Sequence, residues 1–289
     1  MKVVTSLSAI PPLTSPVTLA IGTFDGMHTG HQAIIDRLKR RANERAKTVV
    51  TFSNHPSSVL CPGSAPPFLI SLEHRLLLME KSGIDLAIVL PFTESFALQT
   101  HDRFLETLRK KLPFDALVLG EEATFGRNRE GNPSRLLRTA ERLGFSVERP
   151  TTHRLAGEAV SSSLIRSSIE RGRLRIAERY LGRPYSIGRF FDPVAIREEN
   201  VHTFLWQFET EGLCLPPEGG YSADFRIEGV PQALPALALV THPTGAKRAT
   251  IRTYFTKRPE TGAFATLSFL PAPPLFTEVP SRTGRESDG

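Results

Sequence analysis

The chain has 289 residues, 40% of them apolar and 23% charged, with a net charge of +6 at neutral pH. That length holds one large or two ordinary domains, each able to bury a core, and the composition excludes fibrous and low-complexity classes. No apolar run of about eighteen residues occurs, so no membrane-spanning helix is expected. The N-terminus, Met1-Lys2-Val3-Val4, lacks the apolar stretch of a secretion signal, and a cytoplasmic location is expected. Cys61 and Cys214 are too few and too far apart for a metal cluster or a disulfide scaffold, and both are expected as ordinary buried or half-buried thiols. The basic balance suits anionic ligands. Its Lys and Arg residues are scattered rather than blocked, and no nucleic-acid module is visible, so a small nucleotide rather than a polymer is the expected partner.

Val17-Thr18-Leu19-Ala20-Ile21 reads as a buried strand. Ile34, Ile35 and Leu38 then recur at helical spacing among Arg37, Lys39 and Arg40. Between them runs Gly22-Thr23-Phe24-Asp25-Gly26-Met27-His28-Thr29-Gly30-His31, a strand-to-helix turn. Its glycines let backbone N–H groups approach a ligand, and the helix N-terminus favours negative charge. The loop fits neither the dinucleotide fingerprint nor the P-loop. The His-x-Gly-His form at residues 28–31 resembles the signature of the HIGH-type nucleotidyltransferases. The full Gly-x-Phe-Asp-Gly-x-His-x-Gly-His resembles their FAD synthetase branch, the bacterial bifunctional riboflavin kinase/FAD synthetases. The resemblance implies that His28 and His31 are the catalytic pair, contacting the phosphates of ATP and stabilising charge as pyrophosphate leaves. It also places Gly22, Phe24, Asp25, Gly26 and Gly30 in the ATP site, with Asp25 shaping the turn rather than doing chemistry.

Thr48-Val49-Val50-Thr51-Phe52 is a second strand, and the strand–helix–strand unit predicts parallel pairing. It runs into Ser53-Asn54-His55-Pro56, and ligands of open α/β sheets gather beyond the carboxyl ends of strands. This segment resembles the Thr-Phe-x-x-His-Pro motif of FAD synthetases, which implies that Asn54, His55 and Pro56 hold the flavin and its phosphate. The stretch from Cys61 to Pro67 reads as a loop able to cover a site. Ser71 caps a helix running to about Lys81, and Asp85 to Leu90 is a third strand.

Thr100 to Lys111 is helical, with Phe104, Leu105 and Leu108 on one side, and Asp115 to Leu119 is a fourth strand. The following Glu121-Glu122-Ala123-Thr124-Phe125-Gly126-Arg127 resembles the family's Gly-x-Asp/Asn-Phe-x-Phe-Gly loop, with two departures. Glu122 replaces a shorter Asp or Asn, and Ala123 replaces an aromatic. The resemblance puts Glu122 and Phe125 on the flavin side; for Phe125, core filling is the alternative. Pro133 to Leu143 is an amphipathic helix, and Ser146 to Glu148 begins a fifth strand. The alternation predicts an α/β fold with a doubly wound parallel sheet. Val160-Ser161-Ser162-Ser163-Leu164-Ile165-Arg166 is a hydroxyl-rich start to a helix near Leu164 and resembles Ile-Ser-Ser-Thr-x-Ile-Arg, the second nucleotide motif of the superfamily. It implies that Ser162, Ser163 and Arg166 bind ATP. Residues 177–185 resemble the helix and exit turn that close the adenylyltransferase module.

From Ile187 the pattern changes to short strands at Thr203–Phe208, Tyr221–Ile227, Pro235–Val240 and Ala249–Phe255, predicting a small β-barrel or sandwich. The expected organisation is an adenylyltransferase domain over 1–186, a divergent riboflavin kinase-like β domain over 187–270 and a disordered tail over 271–289. Pro217-Glu218-Gly219-Gly220-Tyr221 resembles one strand of the family's kinase barrel. The kinase's Gly-x-Pro-Thr-x-Asn segment is absent: the Pro-Thr pairs at residues 150–151 and 243–244 lack the Asn, and Glu260 is a poor match for the catalytic base. Without those groups phosphoryl transfer lacks its charge neutralisation, so kinase activity is expected to be lost. The resemblance implies an FMN adenylyltransferase with ATP and FMN as substrates and Mg²⁺ carried by the phosphates, with no dedicated protein metal ligands. A full bifunctional enzyme and a non-catalytic flavin-nucleotide-binding protein are the alternatives.

Overall fold

The structure, a computed structural model, describes residues 1–121, 123, 125–127, 131–191, 197–200, 203–242, 249–255, 263–272 and 275. The chain divides into two compact units, Met1–Ser162 and Ser163–Gly289. No helix among the described residues is long and apolar enough to cross a membrane.

The first unit alternates strand and helix. Its elements are β1 (Lys2–Val4), β2 (Val17–Ile21), α1 (Thr29–Ala42), β3 (Lys47–Phe52), α2 (Ser57–Leu60), α3 (Leu72–Lys81), β4 (Leu86–Leu90), α4 (Glu94–Ala97), α5 (His101–Lys111), β5 (Phe114–Val118), α6 (Pro133–Leu143), β6 (Ser146–Glu148) and the small hairpin β7 (Arg154–Leu155) and β8 (Glu158–Ala159). The six-stranded sheet has the order β1-β4-β3-β2-β5-β6, and every pair in it is parallel. Strand order therefore reverses at β2, which is flanked by β3 and β5, and this is the doubly wound arrangement that the alternation predicts. β2 and β4 are buried at every position, as strands covered on both faces must be.

The helix ends follow from local chemistry. Ser71 accepts the His74 N–H at 3.2 Å to cap α3, and Thr100 accepts the Arg103 N–H at 3.3 Å to cap α5. α6 starts on Asn132 with Pro133 in its first turn and stops at Gly144, which has φ 70°. Leu19, Ile21, Val50, Phe52, Ile88 and Leu90 of the sheet meet Phe104, Leu108 and Leu136 of the helices in one core. Each such side chain contributes about 1.5–3 kcal/mol on burial. The ion pairs from Arg41 on α1 to Glu148 and from Arg45, in the turn after α1, to Asp115 contribute about 0–1 kcal/mol each. Apolar packing thus decides this fold.

The second unit contains α7 (Ser162–Glu170, its first residue closing the first unit), α8 (Leu174–Leu181), β9 (Ser186–Phe191), β10 (Arg197–Asn200), β11 (Thr203–Thr210), β12 (Gly219–Ile227), β13 (Leu234–Thr241), β14 (Ala249–Phe255) and β15 (Ala263–Phe269). Its strands form a seven-stranded antiparallel sheet in the order β10-β11-β14-β13-β12-β15-β9. Ala249, Ile251, Thr253 and Phe255 are buried while their neighbours are half-buried, the period of two that one covered face requires. Phe225 packs at 5.4 Å from Trp206 and 4.7 Å from Phe255, and Phe269 at 5.7 Å from Tyr221. The Tyr221 hydroxyl donates to the Pro217 carbonyl at 2.7 Å, and burial pushes its pKa up to about 12, so it is a structural donor.

Cys61, in the turn after α2, is exposed rather than buried or half-buried; Cys214 is buried as expected. In the tail, the Leu275 N–H donates to the Gly220 carbonyl at 2.6 Å. Glu122, the Pro243-Thr244 pair, Glu260 and most of the tail lie outside the described residues.

Candidate active site

The loop after β2 is strained and buried. Gly22 N–H donates to the Val50 carbonyl at 3.1 Å, so strand pairing persists to the start of the turn. Phe24 and Met27 adopt positive φ (52° and 43°), and Gly26 has φ 81°. Left-handed backbone at bulky residues persists only where the surroundings impose it, and it clusters at functional sites. Phe24, Asp25 and Met27 are at most 3% exposed. The Asp25 carboxylate accepts the Leu69 N–H at 2.8 Å, and its carbonyl accepts the Ser162 hydroxyl at 3.0 Å. Asp25 thereby ties the loop both to the segment before α3 and to Ser162.

His28 caps α1: its Nδ1 accepts the His31 N–H at 3.3 Å, which leaves Nε2 to carry the ring proton. The rings of His28 and His31 stack at 3.6 Å between centroids, 19° apart in plane, and Phe24 lies 5.2 Å from His31. Gly30 packs closely under the first ring: a Cβ there would sit 3.1 Å from the His28 ring, which would have to shift to admit it. The two imidazoles are thus one preorganised unit at a helix N-terminus.

A cavity of about 670 Å³ opens beyond the carboxyl ends of β2, β3 and β5. Its volume lies within the usual range for a small-molecule site. Gly22 and Thr23 line it on the side of the histidine loop, and His55 and Pro56 line it from the loop after β3. Phe92, Phe96 and Phe125 supply aromatic walls. Phe52 and Phe92 meet edge to face at 5.3 Å, Phe96 and Phe104 at 5.1 Å. Phe125 is half-buried with its ring 6.2 Å from Phe104, so it belongs to the cavity wall and packs on the core at once. Its loop is fixed by Arg127 N–H to the Gln99 carbonyl at 2.9 Å and Gly131 N–H to the Phe125 carbonyl at 3.0 Å. Gly126, at φ 83°, admits no side chain, because a Cβ would lie 2.6 Å from the His101 nitrogen.

Asn54 does not line the cavity. Its amide exchanges two hydrogen bonds with the backbone of Phe92, at 2.9 and 2.8 Å, and so joins the loops after β3 and β4. His55 accepts the Ser57 N–H on Nδ1 at 3.1 Å. Ser163 and Arg166 belong to the second unit, the first exposed and the second 7% exposed. Sequence reasoning missed Phe92, Phe96 and Arg75. The guanidinium of Arg75, 1% exposed, donates to the carbonyls of Thr23 and Phe52 at 2.5 and 2.6 Å. Nothing local in the sequence marks it, for both partners lie on other elements.

Among the described residues no three His, Cys, Asp or Glu side chains converge on one point. A Mg²⁺ ion arriving with a triphosphate would keep several phosphate and water ligands.

A reversal of strand order at β2, a phosphate-suited helix start beside it and an apolar cavity at the strand ends define the doubly wound α/β class that takes its ligands at the switch point. Comparison with known proteins narrows this. The family model described as FAD synthetase matches residues 11–164, and the chain belongs to that family. It is 36% identical over 172 residues to a bifunctional riboflavin kinase/FMN adenylyltransferase of Haemophilus influenzae, covering 58% of this chain and 56% of that protein. The chain thus matches little more than half the length of that relative. It is 33% identical over 242 residues to a protein of the same description from Pseudomonas fluorescens, covering 82% and 76%. Among solved structures, one described as a macrolide-efflux protein from Streptococcus pneumoniae aligns over 97% of this chain and 92% of its own, with a TM-score of 0.77 and 21% identity, a likeness of fold alone.

Proposed function

We propose that the chain is an FMN adenylyltransferase, converting FMN and ATP to FAD and pyrophosphate in the cytoplasm. The observation that carries this is the shared edge of the two candidate subsites: Gly22 and Thr23 wall the aromatic cavity and also begin the loop that bears His28 and His31. A flavin ring in that cavity would bring its phosphate tail toward the stacked imidazoles. An oxygen of the FMN phosphate attacks the α-phosphorus of ATP in line, the bond from that phosphorus to the bridging oxygen breaks, and pyrophosphate leaves. No covalent enzyme intermediate is required, so the protein's work is alignment and charge stabilisation. His28 and His31, with the N–H groups of the loop, donate to the phosphates. His55 and Pro56 flank the flavin, Phe125 faces its ring, and Asn54 acts by holding the loop. Ser162, Ser163 and Arg166 keep the ATP role that their motif implies.

The riboflavin kinase reaction is absent in this proposal, because the metal-holding Pro-Thr-x-Asn segment is missing from the sequence. One observation favours the full bifunctional reading instead. The match to the Pseudomonas fluorescens relative, 242 residues long, is longer than the first unit and must reach into the second. Paired incubations decide between them, one with ATP, Mg²⁺ and FMN and the other with ATP, Mg²⁺ and riboflavin, the flavins being resolved chromatographically. FAD from FMN and nothing from riboflavin is expected. FMN or FAD from riboflavin would establish the kinase, and flavin binding without product in either tube would favour a non-catalytic binding protein.

A further inference from the structure

Arg75 carries an arrangement that the reaction outlined above does not use. It lies on α3, outside both sequence motifs, yet its guanidinium reaches the last backbone carbonyl of β3, that of Phe52, and the carbonyl of Thr23 just past β2. The Thr23 carbonyl also accepts the Thr51 hydroxyl at 3.1 Å. Thr23 and Phe52 both line the 670 Å³ cavity, and each stands at the root of one substrate loop: the histidine loop for Thr23, the Asn54–Pro56 loop for Phe52. The same guanidinium sits 5.3 Å from the centre of the Phe68 ring, which in turn lies 5.4 Å from the His55 ring. The next residue, Leu69, donates its N–H to Asp25. One buried side chain is thus in contact with the roots of both loops and with the segment that packs on each.

We propose that Arg75 is a positioning residue, holding the histidine loop and the flavin loop at one fixed spacing so that the two phosphates meet in line. This rests on the adenylyltransferase reading. Arginine suits the task because its planar fork presents separate N–H groups to two acceptors, which a lysine ammonium cannot do in the same geometry. Burial lowers its pKa to about 10, with Asp25 and Glu73 opposing that effect, so it remains a cation at neutral pH. Each substrate would keep its own contacts if Arg75 were lost; what would be lost is their mutual register. A displacement of about 1 Å in such a register is enough to lower turnover on the order of 10²-fold.

The test compares wild type with Arg75→Met, Arg75→Lys and Met79→Ala. Met79 is fully buried on the same helix and touches neither loop's hydrogen bonds, so its truncation controls for lost stability. Thermal denaturation fixes a temperature at which all four are folded. Then kcat, the KM of ATP and FMN, and the binding of FMN alone by its fluorescence are measured. Arg75→Met is expected to lower kcat on the order of 10²-fold while FMN binding changes by only a few fold. Arg75→Lys should fall between, and Met79→Ala should keep its kcat. Should Arg75→Met not fold, a kcat for Arg75→Lys well below that of Met79→Ala carries the same conclusion. Wild-type kcat in Arg75→Met, or in Arg75→Lys where only that variant folds, overturns this inference alone. Failure of the wild type to form FAD overturns the adenylyltransferase reading and this inference with it.

Discussion

At the residue scale, His28 has a structural part beside the chemical part proposed for it, and mutation can separate the two. Its Nδ1 caps α1 by accepting the His31 N–H, whereas His31 enters that bond through its backbone. Losing a cap costs about 1 kcal/mol, or roughly 2–4 °C in Tm for a chain of this size. His28→Ala is therefore expected to lose FAD formation by about 10²-fold or more and to melt a few degrees lower. His31→Ala should lose comparable activity while keeping the cap bond, which its backbone N–H supplies. Unchanged FAD formation in both variants, with the fold intact by circular dichroism, would remove the histidines from the chemistry. The same separation of parts applies to Asp25, whose buried carboxylate is engaged by the Leu69 amide and so shapes the loop. Asn54 behaves likewise toward Phe92.

At the element scale, the sheet was legible because its strands are continuous apolar runs and its helices carry apolar residues at helical spacing between capping residues. β2, β3, β4, β5 and α6 stand within a residue or so of where those patterns place them. Elements of three or four residues, such as β1, α2 and α4, are shorter than the window in which periodicity can be recognised. β15 alternates as Ala263-Phe264-Ala265-Thr266-Leu267-Ser268-Phe269, but its small and hydroxyl residues weaken the contrast that marks a strand. The cavity was half legible. His55, Pro56 and Phe125 sit in loops whose motifs are recognisable in the sequence, whereas Phe92 and Phe96, past the end of β4, and Arg75, on α3, stand in no such motif and join the site through contacts with elements distant in sequence.

The link between α5 and α6, beneath the Phe125 loop, gives a prediction at this scale. Burial tends to raise the Asp102 carboxyl, but the Thr139 hydroxyl, His101 and Arg142 outweigh it and hold the pKa below its ordinary 3.8. Arg142 reaches the carboxylate at 3.2 Å. A carboxylate with a lowered folded pKa stabilises the fold above its unfolded value, and that stability is lost as the pH falls through the folded one. Asp102→Asn should therefore melt below wild type at neutral pH, and the gap should close as the pH drops below 3.8. Melting curves at a series of pH values would show this, and a gap that stays constant into acid would contradict it.

At the scale of the whole molecule, the chain pairs an α/β unit carrying the complete histidine loop and cavity with an antiparallel β unit whose sequence lacks the kinase segment. The net charge of +6 suits anionic ligands. The central claim is that the adenylyl group, and not the terminal phosphoryl group, is what this protein moves. The most direct measurement is to supply the full chain with Mg²⁺, FMN and ATP labelled at either the α- or the γ-phosphorus and to follow the label. The α-label should appear in FAD and the γ-label in pyrophosphate, one pyrophosphate for each FAD; α-label that never enters a flavin would contradict the account.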